Sequence, residues 1–179
     1  KLLQIGATPV TVSDSRGMVH DTAGIKVDVL KQVKETERAS LARYAELVPT
    51  ARYTPTAEYP KGRNAVWDVP CFAAFPCATQ NELALDDAKA LLANGCKCVA
   101  EGANMPSTLD AVHAFIAAGI AYGPGKAANA GGVSTSQLEM AQNASMQSWT
   151  FDVVDSKLRQ IMYNIHKIAA ETATEFGQP

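Results

Sequence analysis

The chain has 179 residues, of which 47% are hydrophobic and 19% charged, enough for one domain with its own core and an appendage. Its formal net charge is −2 and it has no run of Lys or Arg, so no basic field invites nucleic acid. Its apolar runs are too short to cross a bilayer, so neither nucleic acid nor a membrane is expected as a partner.

The chain opens on "KLLQIG", which reads as the last turn of a helix with Gly6 just past its end. There is no initiator Met, basic n-region or transit-peptide pattern. We therefore expect a piece of a longer protein, with any localisation signal outside it. "PVTVSD" is rich in β-branched residues and runs into "SRG", a strand followed by a turn. Residues 25–48 carry apolar side chains at Val29, Leu30, Val33, Leu41, Tyr44, Ala45 and Val48, which predicts one long helix. "ARYT" predicts a short strand, and residues 55–66 an irregular surface loop.

A regular alternation follows. "VPCFAAFPCA" is apolar throughout, as a strand buried on both faces should be. Asp86 is placed to cap a short helix that stops at Asn94-Gly95. "KCVAEGAN" predicts a second strand. Ser107, with Asp110 three residues on, predicts a capped helix ending at Gly119, and "IAYG" a last strand. Strand, helix, strand, helix, strand implies parallel pairing. From Lys126 onward the pattern is helical. The final helix has one apolar stripe, from Phe151 and Val154 through Leu158, Ile161, Met162 and Ile165 to Ile168 and Phe176. Thr150 is placed to cap it, with Trp149 and Val154 as a hydrophobic staple.

Cys71, Cys77, Cys96 and Cys98 form no C-x-x-C pair and have no His at zinc-finger spacing, so buried reduced thiols are expected and no metal. His20, His113 and His166 lack any metalloprotease or triad context. Residues 123–128 match G-x-G-x-x-A after a strand, but no strand follows their helix, so the dinucleotide fingerprint is rejected. Lys126 is followed by Ala127, which lacks the hydroxyl of a P-loop.

Three strand ends are unusually polar: Ser13, Asp14, Ser15 and Arg16; then Thr79, Gln80 and Asn81; then Glu101 and Asn104. Turns favour such residues anyway. Several polar ends on one sheet edge nevertheless point to a ligand site at the strands' carboxyl ends. In a dinucleotide fold an acid ending the second strand meets the adenosine ribose, and a nearby Arg pairs with a 2′-phosphate. Asp14 and Arg16 are both present, so residue types leave NAD and NADP open. An ionised Asp14 opposes a 2′-phosphate, so a preference for NADP should weaken with rising pH if Asp14 must share a proton. No Gly-rich phosphate turn is present; in this fold it would lie before Lys1. The stretch "PGKAANAGGVSTSQLEMAQN" crowds small residues around Asn129, which lets a backbone approach a ligand or a helix closely.

The stretches "FPCATQNEL", "VAEGANMPSTLDA" and "PGKAANAGGVSTSQLEMAQNASMQSW", extending to "VDSKLRQIMYNIH", resemble the cofactor domain of hexameric, small-subunit, mostly NADP-dependent glutamate dehydrogenases. More loosely, the likeness reaches back through "VTVSDSRG". The resemblance implies an α/β, Rossmann-like, largely parallel sheet flanked by helices, truncated at its N-terminus and with long C-terminal helices. It implies a cofactor domain over residues 1–148 and, over 149–179, a helix leading back to a catalytic domain. The reaction implied is reversible oxidative deamination of L-glutamate to 2-oxoglutarate and ammonia. A full-length homohexamer and a cytoplasmic location, with a mitochondrial one left open, are implied as well.

Residue by residue, the resemblance puts Ser13, Asp14 and Ser15 at the adenosine ribose, with Arg16 or Lys34 as 2′-phosphate partner. Thr79 and Asn81 flank the nicotinamide side, Asn104 lies near its ribose, and Asn129 bonds the carboxamide. Val133 and Ser136 face the glutamate side chain. The family's acid–base lysine and aspartate belong to an upstream domain, so no catalytic residue is nominated in this chain. Two features depart from the family: the 55–66 loop is longer, and Phe72 stands where an Asp is usual. Another amino-acid dehydrogenase of the superfamily and a non-catalytic nucleotide-binding module are the alternatives. A hydroxyl at Ser136 argues against a leucine- or phenylalanine-type pocket.

Overall fold

The computed structural model describes residues 1–178. The chain resolves into two compact units, one of Lys1–Cys71 with Asp86–Gly95, the other of Phe72–Leu85 with the chain from Cys96 onward.

The first unit opens on a 3-10 turn, Leu2–Ile5, closed by Gly6 in the left-handed conformation, as the opening residues predict. β1 (Thr11–Asp14) turns through Ser15 and Arg16 into β2 (Gly17–His20), which pairs with β3 (Arg52–Pro55). Both pairings are antiparallel, so the expected first strand lies in an antiparallel sheet rather than a parallel one. β2 was not expected as a strand. Gly17 is required there, because a Cβ would stand 2.6 Å from the Thr54 carbonyl oxygen.

The single helix expected over residues 25–48 is two helices. α1 (Val27–Lys31) widens into a π-helical turn over Gln32–Thr36, Arg38 takes φ 51°, and α2 (Leu41–Leu47) starts afresh after Ser40. The break falls in "KETERAS", where no large apolar side chain rewards continuation. Val33 from the first piece and Leu41, Tyr44 and Val48 from the second bury against Val19 and Ile25. The Tyr44 hydroxyl accepts the Lys26 N–H at 2.8 Å. Buried Asp21 accepts from the Ala23 N–H and the Thr50 hydroxyl.

The 55–66 loop carries a 3-10 turn at Thr56–Glu58 and leads into another at Ala65–Asp68, which buries Val66 and Trp67. Arg63 pairs there with Asp68 and with Asp87 of α3 (Leu85–Ala93). Asp86 lies inside the first turn of α3 rather than at its cap, where its charge still meets the helix dipole favourably.

The second unit holds a parallel sheet in the order β4 (Ala73–Ala74), β5 (Cys98–Ala100), β6 (Ala121–Gly123). The pairing is as the alternation predicts, but only two residues of "VPCFAAFPCA" join the ladder. Pro70 and Pro76 bound the stretch and have no N–H to donate. α4 (Leu109–Ala117) is capped by Thr108, not Ser107, and the Thr108 side chain makes no capping bond. Ser107 is drawn instead into a parallel bridge with Leu83 and buried. Phe115 of α4 is fully buried and stacks on Tyr122 of β6, ring centroids 6.0 Å apart.

The helical remainder is α5 (Gly125–Ala128), α6 (Ala130–Ala144) and α7 (Phe151–Glu175). The Thr150 side chain makes no capping bond, but Lys157 lies over the Trp149 ring at 5.0 Å and joins the link to the helix. The α7 stripe is half-buried from Val154 to Ile165, while Phe151, Ile168 and Phe176 stay exposed. Cys96 is buried as expected, Cys71 and Cys98 are half-buried, and Cys77 is exposed. Among the described residues no His/Cys/Asp/Glu group could hold a metal, and no helix is long and apolar enough to cross a membrane.

Replacing Tyr44 with Phe removes the hydroxyl that accepts the Lys26 N–H. It should cost about 0.5–1.5 kcal/mol, read as a lowered urea midpoint with unchanged slope for the 179-residue chain.

Candidate functional site

In the first unit, the β1–β2 turn gathers the predicted adenosine-end residues. Asp14 pairs across the hairpin with Gly17, and its Oδ1 accepts the Arg16 N–H at 2.9 Å, which closes the turn. Its Oδ2 accepts from Lys34 Nζ at 2.7 Å. Lys34 also donates to the Ala39 carbonyl at 3.2 Å, so the helix break fixes the lysine beside the hairpin. Ser13 is half-buried; Ser15 and Arg16 are exposed. The structure thus brings Asp14 and Lys34 together as an ion pair.

Burial is the largest single influence on Asp14 and pushes its carboxyl up. The Lys34 hydrogen bond, the backbone N–H groups of Arg16 and Gly17 and the Lys34 charge outweigh it, so the net shift is downward. In the ligand-free fold these partners favour the Asp14 carboxylate, and Lys34 already offsets its charge. Sequence reasoning missed Tyr59, from the 55–66 loop. Burial, then Tyr53 and Asp14, push its phenol up to about 12, and its buried hydroxyl has no partner among the described residues.

In the second unit, the carboxyl ends of the parallel strands open onto a cleft of about 560 Å³. Cys77 and Gln80 line it after β4, Gly102 and Asn104 after β5, and Asn129 and Val133 beyond β6. Asn129 sits between α5 and α6 with φ −95° and ψ 2°, outside regular helix. Its Nδ2 donates to Asn104 Oδ1 at 2.7 Å and to the Ala103 carbonyl at 3.1 Å. This leaves Asn129 Oδ1 as acceptor and the Asn104 Nδ2 hydrogens as donors for a ligand. A carboxamide or a ribose diol needs that mixture of donors and acceptors, so the neutral amide pair fits the nicotinamide end of a dinucleotide.

Thr79, Asn81 and Ser136 do not line this cleft. Thr79 is exposed in a bend. Asn81 holds φ 56° in a turn and donates its N–H to the Met105 carbonyl at 3.0 Å. Ser136 is exposed one turn beyond Val133, its hydroxyl on the Gly132 carbonyl at 3.4 Å.

Sequence reasoning also missed Cys77 and Gly102. A Cβ on Gly102 would meet Cys77 Sγ, so a side chain there would force the thiol to move. Although Cys77 is exposed as a residue, desolvation of its sulfur against the Gly102 wall and then the Glu82 charge push the thiol up, against a backbone bond from Gly102, which keeps it protonated and a poor nucleophile. Beneath the cleft Glu101, 4% exposed, accepts the Gly125 N–H at 2.8 Å and the Ser107 N–H at 3.3 Å. Burial and a hydrogen bond to this carboxylate hold the Tyr122 phenol well above its ordinary range.

A family model described as "Glutamate/Leucine/Phenylalanine/Valine dehydrogenase" matches residues 1–179. The chain belongs to this family. It is 62% identical over 179 residues to an NADP-specific glutamate dehydrogenase of Helicobacter pylori, covering all of this chain and 40% of that protein. It is 44% identical over 178 residues to the NADP-specific glutamate dehydrogenase of Escherichia coli, covering 99% of this chain and 39% of that one. The crystal structure of Plasmodium falciparum glutamate dehydrogenase superposes with a TM-score of 0.86 at 45% identity, over 98% of this chain and 37% of that one. The chain thus spans about two-fifths of the length of the curated relatives it matches.

The lowered Asp14 carboxyl contributes stability at every pH above its ordinary value of 3.8, and that stability is lost as pH falls through the folded value. Lys34→Ala should raise the Asp14 pKa, since burial then faces only the backbone bonds. Carbon-detected NMR titration of the Asp14 carboxyl checks this, and an unmoved titration refutes the pair.

Proposed function

We propose that the chain is the coenzyme-binding part of an NADP-preferring glutamate dehydrogenase, which converts L-glutamate, NADP⁺ and water to 2-oxoglutarate, ammonia and NADPH. The Asn104–Asn129 amide pair in the cleft at the parallel strand ends carries the reading. The names of relatives at 44–62% identity supply the substrate and coenzyme. The full-length protein is proposed to be a cytoplasmic homohexamer. Residues 1–148 form its cofactor domain, and residues 149–179 lead back to the domain with the acid–base groups.

The residues here bind and orient. Asn129 bonds the carboxamide and Asn104 the adjoining ribose, with Thr79 and Asn81 flanking that side. Bound there, the nicotinamide supplies the hydride acceptor. Ser13, Asp14 and Ser15 hold the adenosine ribose. Lys34 cancels the Asp14 charge, so Arg16 leaves the hairpin net positive toward a 2′-phosphate. Val133, 70% exposed at the cleft rim, and Ser136 face the substrate side chain. Ser136 gives up only a 3.4 Å bond within its own helix when it donates to the distal carboxylate of glutamate.

The 179-residue chain by itself should show no glutamate-dependent NADPH formation, because hydride transfer needs the acid–base groups and a closed cleft. In the full-length enzyme, kcat/KM should favour NADP over NAD at neutral pH. A clear NAD preference refutes the coenzyme assignment, and a full-length protein inactive on every amino acid favours a non-catalytic module.

A hydrogen bond to a charged group contributes about 1.5–3 kcal/mol. Ser136→Ala should therefore lower kcat/KM for glutamate by roughly ten- to a hundredfold, with norvaline hardly affected. Equal losses on both substrates would make Ser136 a helix-packing residue.

A further inference from the structure

We infer that Glu101 is a positioning residue for the nicotinamide end of the coenzyme: its buried carboxylate ties together the two walls that carry the Asn104–Asn129 pair. This rests on the dehydrogenase reading above. Glu101 lies just past β5 and immediately precedes Gly102, Ala103 and Asn104, one wall of the cleft. Its Oε2 accepts from the N–H of Gly125, the first residue of α5. Asn129 follows one turn later on that wall, and returns the connection through its bonds to Ala103 and Asn104. Glu101 and Asn129 thus close a ring across the floor of the cleft, so Gly125 cannot shift without moving Asn129.

The ring needs two acceptor oxygens on one side chain. The N–H groups of Gly125 and Ser107 and the hydroxyl of Tyr122 converge on two carboxylate oxygens. A glutamine in its place satisfies one N–H and turns its own amide donor on the other. The approach is also sterically tight. A Cβ on Gly125 would lie 2.9 Å from the Ala103 carbonyl oxygen and 3.3 Å from Glu101 Oε2, so glycine alone lets the walls meet. Glu101 is itself too buried to touch a ligand, and it acts through Asn129.

The test uses the full-length enzyme and measures NADPH dissociation constants by fluorescence titration for wild type, Glu101→Gln, Asn129→Ala and the double variant. Glu101→Gln should weaken binding about tenfold. The double variant should bind no more than about threefold worse than the weaker single variant, because both substitutions break one ring. Binding within about twofold of wild type in Glu101→Gln, or losses that multiply in the double variant, would overturn the inference. If Glu101→Gln does not fold, Gly125→Ala decides. It wedges the same ring without removing charge, and unchanged NADPH affinity there overturns the role of the ring. A folded wild-type enzyme that binds no NADPH instead overturns the dinucleotide reading, and this inference with it.

Discussion

The parallel sheet of the second unit is very shallow: two residues of β4 and three each of β5 and β6 make its ladder. So short a ladder leaves the loops at its carboxyl edge underdetermined, and other bonds must hold them. The Pro76 carbonyl accepts from both Gly102 and Ala103, Asn81 donates to Met105, and Leu83 bridges Ser107. Glu101 then gathers the ends of the second and third strands on one carboxylate. The cleft exists because these loops are fastened to each other rather than to longer strands.

The same constraint explains the small residues of this unit. Backbone groups can reach a shared acceptor only where no Cβ intervenes. Gly125 faces the Ala103 carbonyl oxygen at a distance that excludes one. Farther along, Gly131 faces Met162 of α7 at ordinary contact distance, so a methyl group would be tolerated there. Close approach thus explains Gly125, whereas Gly131 and Gly132 inside α6 have room for a Cβ.

Which parts were legible in the sequence follows from how local each cause is. The parallel β4–β5–β6 order could be read because alternating apolar runs and helix signals are local patterns. That Asn104 and Asn129 come together at the carboxyl edge of the strands could be expected from strand ends and from resemblance. The cap at Ser107 could not, because its bridge to Leu83 links positions 24 residues apart. The role of Glu101 was hidden for the same reason: its partner Gly125 is also 24 residues away. β2 was missed because four residues carry too little alternation to announce a strand. The turn residues Asp14 and Gly17 were the available signal. The broken helix was legible in principle, since "KETERAS" interrupts the apolar stripe, but Val33 and Leu41 are eight residues apart and still fit a helical period.

That break is what gives the first unit its electrostatic character. A helix continued through residue 40 would keep the Ala39 carbonyl within its own ladder. The wide turn, with Glu37 bonded back to Gln32, and the left-handed Arg38 free that carbonyl to accept from Lys34. The ammonium is then held between a carbonyl and the Asp14 carboxylate, with fully buried Val33 anchoring the adjacent backbone. A flexible lysine held at two points loses less entropy when an anion arrives than one recruited from solvent. An acid at the end of β1 is therefore compatible with a phosphorylated ribose. Its charge is met within the fold before any ligand binds, and the hairpin can present hydroxyls and Arg16 without first having to take up a proton.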